Sequence, residues 1–381
     1  MNDLSFKIAP HILLGNQTSS RLGALASPLA SRFLLILDPA TKEVKAKEKL
    51  SEVLFESNLD FIIYEDMPNN PTTETLVQVL KLAKGAHIQG VIACGGEKAL
   101  NLGRGVASLF NEEKPIYEFV DGDISHCEPL PLICMPTAIR DTFLFYERCA
   151  IIDARSNQFR LLKVQEGITK EVIFDVALGA TLTKNQISSI SLNLLCLAFE
   201  TYFSTRSSFF SDAIAEKIFE LMAPADNLTD PLASPETVNE ALLQCGCMAA
   251  LAASFSAPGP VTALTFATHA RYKVSRSLLS TILLPYLIEE AVFSSEKILK
   301  ASKLLGACND NVSPDEAADL LAENIRGRIA RARLPARIKE LSVSIEQIAA
   351  SVNDAMQLDF IPFYAKPVTA DSLFDLVKKA F

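Results

Sequence analysis

Histidine is scarce in this chain, with four residues in 381, at positions 11, 87, 126 and 269. Eight cysteines lie at 94, 127, 134, 149, 196, 245, 247 and 308, several inside apolar runs and none in a Cys-x-x-Cys pair. The spacing of a structural zinc site is therefore missing, as is the framework of a disulfide-stapled domain, and the thiols read as reduced core residues. Lysine- and arginine-rich runs are also lacking. With a formal net charge of -9 and a pI near 5.2, this excludes nucleic acid as an expected partner. The opening MNDLSFKIAPHILLG lacks the basic start and long apolar centre of a secretory signal, so a cytoplasmic location is expected. One uncharged stretch, Cys245 to Ala267, is long enough to span a bilayer, but Pro258-Gly259-Pro260 interrupts it. The centre of a helical bundle asks for the same all-round apolarity, so no membrane association is expected.

What the chain does contain is a change of character near residue 180. Its length exceeds what one core commonly supports, and two domains are expected, 1–180 and 181–381. The first is organised around Gly90 to Arg104, GVIACGGEKALNLGR, which reads as a buried strand, a tight Gly95-Gly96 turn and a helix. Two readings of that turn stand: a cradle of bare N–H groups for an anion at the helix N-terminus, or an ordinary turn. Around it, apolar runs at Phe33–Leu37, Phe61–Tyr64, Leu130–Thr137, Ala150–Asp153 and Val172–Asp175 alternate with helical patterns at about 42–56 and 73–84. That is the pattern of an α/β, Rossmann-like, doubly wound parallel sheet with ligands at the strand C-termini. From Thr183 onward only helical periodicities follow, interrupted at Ala223-Pro224, Pro231 to Pro235, Pro258 to Pro260 and Leu334-Pro335, which predicts an all-α second domain.

In order along the chain come Asp38, Asn70-Pro71-Thr72, Gly95-Gly96, Pro136-Thr137, Ile173-Phe174-Asp175, Glu200-Thr201-Tyr202, Ser211-Asp212, Ile282-Leu283-Leu284-Pro285 and Lys366-Pro367-Val368-Thr369. In order and spacing they resemble the iron-containing (group III) alcohol dehydrogenases, with the dehydroquinate synthase-like fold. The resemblance covers nearly the whole chain. It implies a homodimer, a cleft between domains, and hydride transfer between NAD(P) and a small alcohol or aldehyde. An edge strand near Phe6-Lys7-Ile8 fits pairing through the first domain. The implied cofactor contacts are Gly95 and Gly96 under the pyrophosphate, Asp38 at the adenosine ribose and Thr137-Ala138 near the nicotinamide. Asp38 would favour NAD over NADP, although Asp before Pro is also common turn chemistry. Glu97, Lys98, Asn101 and Arg104 depart from the family's pattern, and a Glu beside a pyrophosphate is unfavourable unless Lys98 or Arg104 neutralises it. The loop Pro136-Thr137-Ala138-Ile139-Arg140-Asp141-Thr142 has lost the family's glycines, so it either meets nicotinamide or has drifted away.

The resemblance also implies a metal site of one Asp and three His, whose places fall on Asn193, Leu197, Thr262 and Arg276. An amide, an alkyl group, a hydroxyl and a fixed cation are not a divalent-ion set, so no catalytic metal is expected. If one continuous helix carried Thr262, Phe266, His269, Lys273 and Arg276, all five would share a face. Arg276 and Lys273 would then stabilise a developing alkoxide, His269 would relay a proton, and anionic substrates would be favoured. The alternative is that Arg276 pairs with a carboxylate such as Glu200 and His269 is a core residue. Three functions stand: a metal-independent NAD(P) oxidoreductase, a non-catalytic homologue serving as a binding or assembly subunit, and a synthase or lyase on the same scaffold.

Overall fold

The computed structural model describes residues 10–137, 141–179, 182–223 and 235–381, and the chain divides into two compact units, Met1–Thr181 and Leu182–Phe381. The strand expected near Phe6 lies outside the described residues.

In the first unit, six strands form a wholly parallel sheet. They are β1 (His11–Gly15), β2 (Arg32–Leu37), β3 (Asp60–Tyr64), β4 (Gly90–Gly95), β5 (Leu132–Pro136) and a later strand, Thr169–Asp175. Spatial order runs β1, Thr169–Asp175, β5, β4, β2, β3. Every residue of β4 is buried, as a central strand with helices on both faces requires. The apolar run at 150–153 does not join this sheet. It extends to Arg148–Asp153 (β6) and pairs antiparallel with Gln158–Lys163 (β7), a strand the sequence reading missed, so Thr169–Asp175 is β8. The cause is a tight connection: the Asp153 carboxylate accepts from the Arg155 N–H at 2.9 Å, and Asn157 adopts φ 54°, folding the chain straight back.

Helices α1 (Leu22–Ala26), α2 (Ala46–Glu56), α3 (Thr73–Gly85), α4 (Glu97–Leu109) and α5 (Ile116–Val120) flank the strands. Helix α2 starts later than the expected 42, because Asp38 caps a 3-10 turn over Pro39–Val44 and Lys45 is left-handed at φ 52°. A Thr72/Thr75 capping box starts α3.

The second unit is helical throughout its described residues: α6 (Lys184–Tyr202), α7 (Phe209–Met222), α8 (Pro235–Phe255), α9 (Pro260–Tyr272), α10 (Arg276–Glu289), α11 (Ser295–Leu304), α12 (Pro314–Arg331), α13 (Ile345–Ala355) and α14 (Ala370–Ala380). Helix α6 starts at a Thr183/Gln186 capping box and carries Phe199, whose ring packs 4.6 Å from Phe219 on α7. The stretch from Cys245 to Ala267 is split between α8 and α9 at the Pro-Gly-Pro, as expected. Two segments, Thr237–Phe255 and Arg276–Leu304, have the length and apolarity to cross a membrane, and over half of each is buried inside the protein.

Candidate active site

The Gly95-Gly96 turn sits at the C-terminal end of the central strand. Gly95 has φ +147°, and a Cβ there would come within 2.3 Å of the Asp38 Cβ, so only glycine fits. The Asp38 carboxylate accepts from the Ala40 N–H at 3.0 Å and the Gly96 N–H at 3.2 Å, tying the turn after β2 to the turn after β4. Gly96 itself has φ -75° and ψ 177°, backbone any residue adopts, and serves as the N-cap of α4 without a side-chain cap hydrogen bond. Thr137, 3 % exposed, donates its N–H to the Gly95 carbonyl at 3.0 Å and so lies beside the turn; Ala138 falls outside the described residues. Next to Asp38 opens a cavity of about 330 Å³ lined by Leu37, Asp38, Pro39, Thr41, Lys42, Lys47, Glu48 and Glu65. Lys47 and Glu65 pair across it at 2.8 Å.

The departures at the start of α4 have a structural explanation. Lys98 donates to the Asn69 carbonyl, steadying the Asn69-Asn70-Pro71 loop. Arg104 is fully buried and points inward. Its guanidinium donates to Asn101 Oδ1 at 2.8 Å, the Arg148 carbonyl at 3.1 Å, the Leu144 carbonyl at 3.2 Å and Asp141 at 3.4 Å. The Asn101 Oδ1 also accepts from the Ala150 N–H at 2.8 Å. Asn101 and Arg104 therefore fasten the hairpin and the 141–148 segment to α4, which corrects the idea that Arg104 serves as a counter-charge at the pyrophosphate. The Asp141 carboxyl is pushed up to about 6, chiefly by burial and further by Glu97, against the opposing pull of Arg104. Buried Cys94, Cys134 and Cys149 are free thiols raised to about 12 by burial, as expected of core residues.

In the helical unit, the continuous helix expected from Thr262 to Arg276 does not form. Helix α9 ends at Tyr272, Lys273 adopts the left-handed conformation at φ 60°, and α10 begins at Arg276. His269 Nδ1 lies 2.9 Å from the Val274 carbonyl, and Lys273 Nζ donates to the Ala270 carbonyl at 2.9 Å, so both finish the helix end. Burial lowers the Lys273 pKa. The i+11 and i+14 spacing thus loses its meaning for Lys273 and Arg276. Arg276 instead returns through the helix–turn–helix to stack 4.2 Å above the Phe266 ring.

The four places implied for a metal ion carry other duties. Asn193 Nδ2 donates to Ser280 Oγ at 2.8 Å, Leu197 is buried, and Arg276 covers Phe266. The Thr262 hydroxyl donates to Glu200. Glu200, fully buried, also accepts from the Val261 N–H at 2.7 Å and the Thr262 N–H at 3.0 Å, so it caps α9 rather than pairing with Arg276. A Cβ on Gly259 would come within 2.8 Å of that carboxylate, which explains the glycine. Burial pushes the Glu200 carboxyl up to about 7, although the Thr262 and backbone bonds oppose the shift. The donors at the four places do not fit a divalent ion, and among the described residues no group of three or more His, Cys, Asp or Glu could hold one.

Sequence models of known families match both units: iron-containing alcohol dehydrogenase over residues 9–145, and the C-terminal part of the Fe-containing alcohol dehydrogenase family over 188–381. The 1,3-propanediol dehydrogenase of Citrobacter freundii is 20% identical over 316 residues, covering 82% of this chain and 81% of its own length. Alcohol dehydrogenase 4 of Saccharomyces cerevisiae is 22% identical over 354 residues, covering 92% and 91%. Among solved structures, a 1,3-propanediol oxidoreductase superposes with a TM-score of 0.90 at 18% identity, covering 98% of both chains. The sulfoacetaldehyde reductase of Bifidobacterium kashiwanohense, solved in complex with NAD+, gives 0.84 at 16% identity, covering 99% of both. The chain belongs to the iron-containing alcohol dehydrogenase family.

Proposed function

We propose that this protein is an NAD-dependent oxidoreductase that interconverts a small alcohol and its aldehyde or ketone without a divalent ion. The observation that carries the cofactor half is the Gly95-Gly96 turn with Asp38 locked beneath it and the adjoining cavity. Together they offer a pyrophosphate a helix N-terminus whose cap residue carries no side chain, and a recess for the adenosine end. The charged lining of that recess, Asp38, Glu48 and Glu65 against Lys42 and Lys47, comes to three negative and two positive charges, net -1, and opposes a 2′-phosphate. Bound nicotinamide supplies or accepts the hydride. On the protein's side, Arg276 is the cation assigned to the carbonyl oxygen or to an acid group of the substrate, and its stacking on Phe266 fixes the guanidinium plane. His269 and Lys273 are not given catalytic roles, since each serves the end of α9. Anionic aldehydes are the first substrates to test; one structural neighbour is named for such a compound, sulfoacetaldehyde.

The chain has no tryptophan, so NADH emission can be followed without protein sensitisation from that source. Titration should show saturable NADH binding to protein stripped of metal, and metal analysis of the untreated protein should show no stoichiometric iron or zinc. The replaced ligand positions favour a second reading, a dinucleotide-binding subunit without turnover. Bound NADH that fails to oxidise with any short aldehyde, including anionic ones, would select it.

A further inference from the structure

Behind the dinucleotide turn, the first two turns of α4 carry a buried charged group that the proposed hydride chemistry does not use. Glu97 is 8 % exposed, and Arg104 and the Asp141 carboxylate are sealed from solvent. Asp141 accepts from the Phe143 N–H at 3.0 Å and is 3.4 Å from both Asn101 Nδ2 and Arg104 Nη2, long for a buried ion pair. Arg104 Nε has no hydrogen-bond partner among the described residues. The groups facing this cluster are Arg104 and Glu97 from α4, Cys134 from β5 and Cys149 from β6, the last two as neutral thiols.

We propose that Arg104, Asp141 and Glu97 act as a proton-linked positioning unit for the cofactor: a dinucleotide pyrophosphate binding over Gly95-Gly96 draws one proton from solvent onto the Asp141 carboxylate. This inference rests on the proposed cofactor site. The physical reason is charge crowding in a dry place. Asp141 and Glu97 already repel, and an anion at the helix end adds to the negative potential on Asp141. Protonation removes that charge, so Glu97 and the phosphates no longer face a third negative group behind the turn. Arg104 holds the Leu144 and Arg148 carbonyls throughout, so the 141–148 segment stays fastened while the proton moves.

The sign follows from linkage. An added anion can only raise the proton affinity of Asp141, so binding takes up protons from about pH 6 upward and weakens as pH rises through that window. The test is calorimetric titration of NADH into the full chain at about pH 6.5, in two buffers of different ionisation enthalpy, which counts protons directly. Wild type should take up a sizeable fraction of a proton per NADH, and its Kd should weaken roughly fivefold between about pH 6 and 8 for a rise of about one pKa unit. Asp141→Asn should abolish the uptake. Should Asp141→Asn fail to fold, Glu97→Gln serves instead: it should tighten NADH binding at about pH 8 by roughly tenfold and shrink the uptake. NADH binding with no proton exchanged, or uptake unchanged in both variants, overturns this inference alone. Absence of NADH binding at any pH would instead defeat the proposed function on which it rests.

Discussion

The two units have diverged in different currencies. In the first, the turn at Gly95-Gly96 is kept by backbone: a φ of +147°, a 2.3 Å limit set by Asp38, and N–H groups that no side chain supplies. Around it Lys98, Asn101 and Arg104 each find an inward or lateral partner. In the second, the helix–turn–helix from α9 to α10 brings Arg276 over Phe266, and the four places that the family resemblance implies for metal ligands hold an amide, an alkyl group, a hydroxyl and a guanidinium. Recognition by backbone tolerates sequence change; coordination by side chains does not.

The sharpest break of this contrast is Gly96→Val. Because φ at Gly96 is an ordinary -75°, the variant should keep the wild-type melting temperature while losing measurable NADH binding. Gly95→Ala should instead lower the melting temperature, since both φ and the Asp38 contact forbid a side chain there. Unchanged affinity in Gly96→Val would show that the turn is only structural. Next in size, Arg276→Ala should reduce kcat with an anionic aldehyde by roughly 10²–10³-fold, the cost of one oxyanion donor, and chelators should leave wild-type turnover unchanged. Activity lost to a chelator and restored by iron or zinc would overturn the metal-free reading.

A smaller effect concerns Glu200. Its folded pKa of about 7 lies above the ordinary carboxyl value of 4.5, so its contribution to stability is complete below about pH 4.5 and is lost as pH rises through 7, on the order of 3 kcal/mol. Glu200→Gln should flatten the melting temperature across that window, as read by calorimetric scans; an unaltered slope would show that the carboxylate does not titrate there. The smallest expected effect is cofactor choice. NADH should bind tighter than NADPH by about tenfold, and Glu65→Gln should narrow the gap by freeing Lys47 from its pair.

The alternation of apolar runs and helical patterns made the sheet and the helical unit legible, and Gly95-Gly96 marked the central turn. The hairpin was not legible because Ala150-Ile151-Ile152-Asp153 has no feature that distinguishes a parallel neighbour from an antiparallel one, and Arg160 and Lys163 dilute the alternation of β7. The break at Lys273 was hidden for a different reason. Neither glycine nor proline stands there, and a left-handed lysine is fixed by the packing of the two helices it joins rather than by its own preference. Arg104 read as one of two cations to neutralise Glu97 because its partners, Asp141, Leu144 and Arg148, come from 37 to 44 positions further on and meet it only once the hairpin has folded over α4.

The most direct measurement is calorimetric titration of NADH into protein that has been dialysed against chelator and shown by elemental analysis to be free of iron and zinc. One site per chain with a Kd on the order of micromolar is expected, with the same affinity when iron or zinc is added back. No binding to the metal-free protein, or binding that appears only after an ion is restored, would contradict a cofactor site that works without a divalent ion.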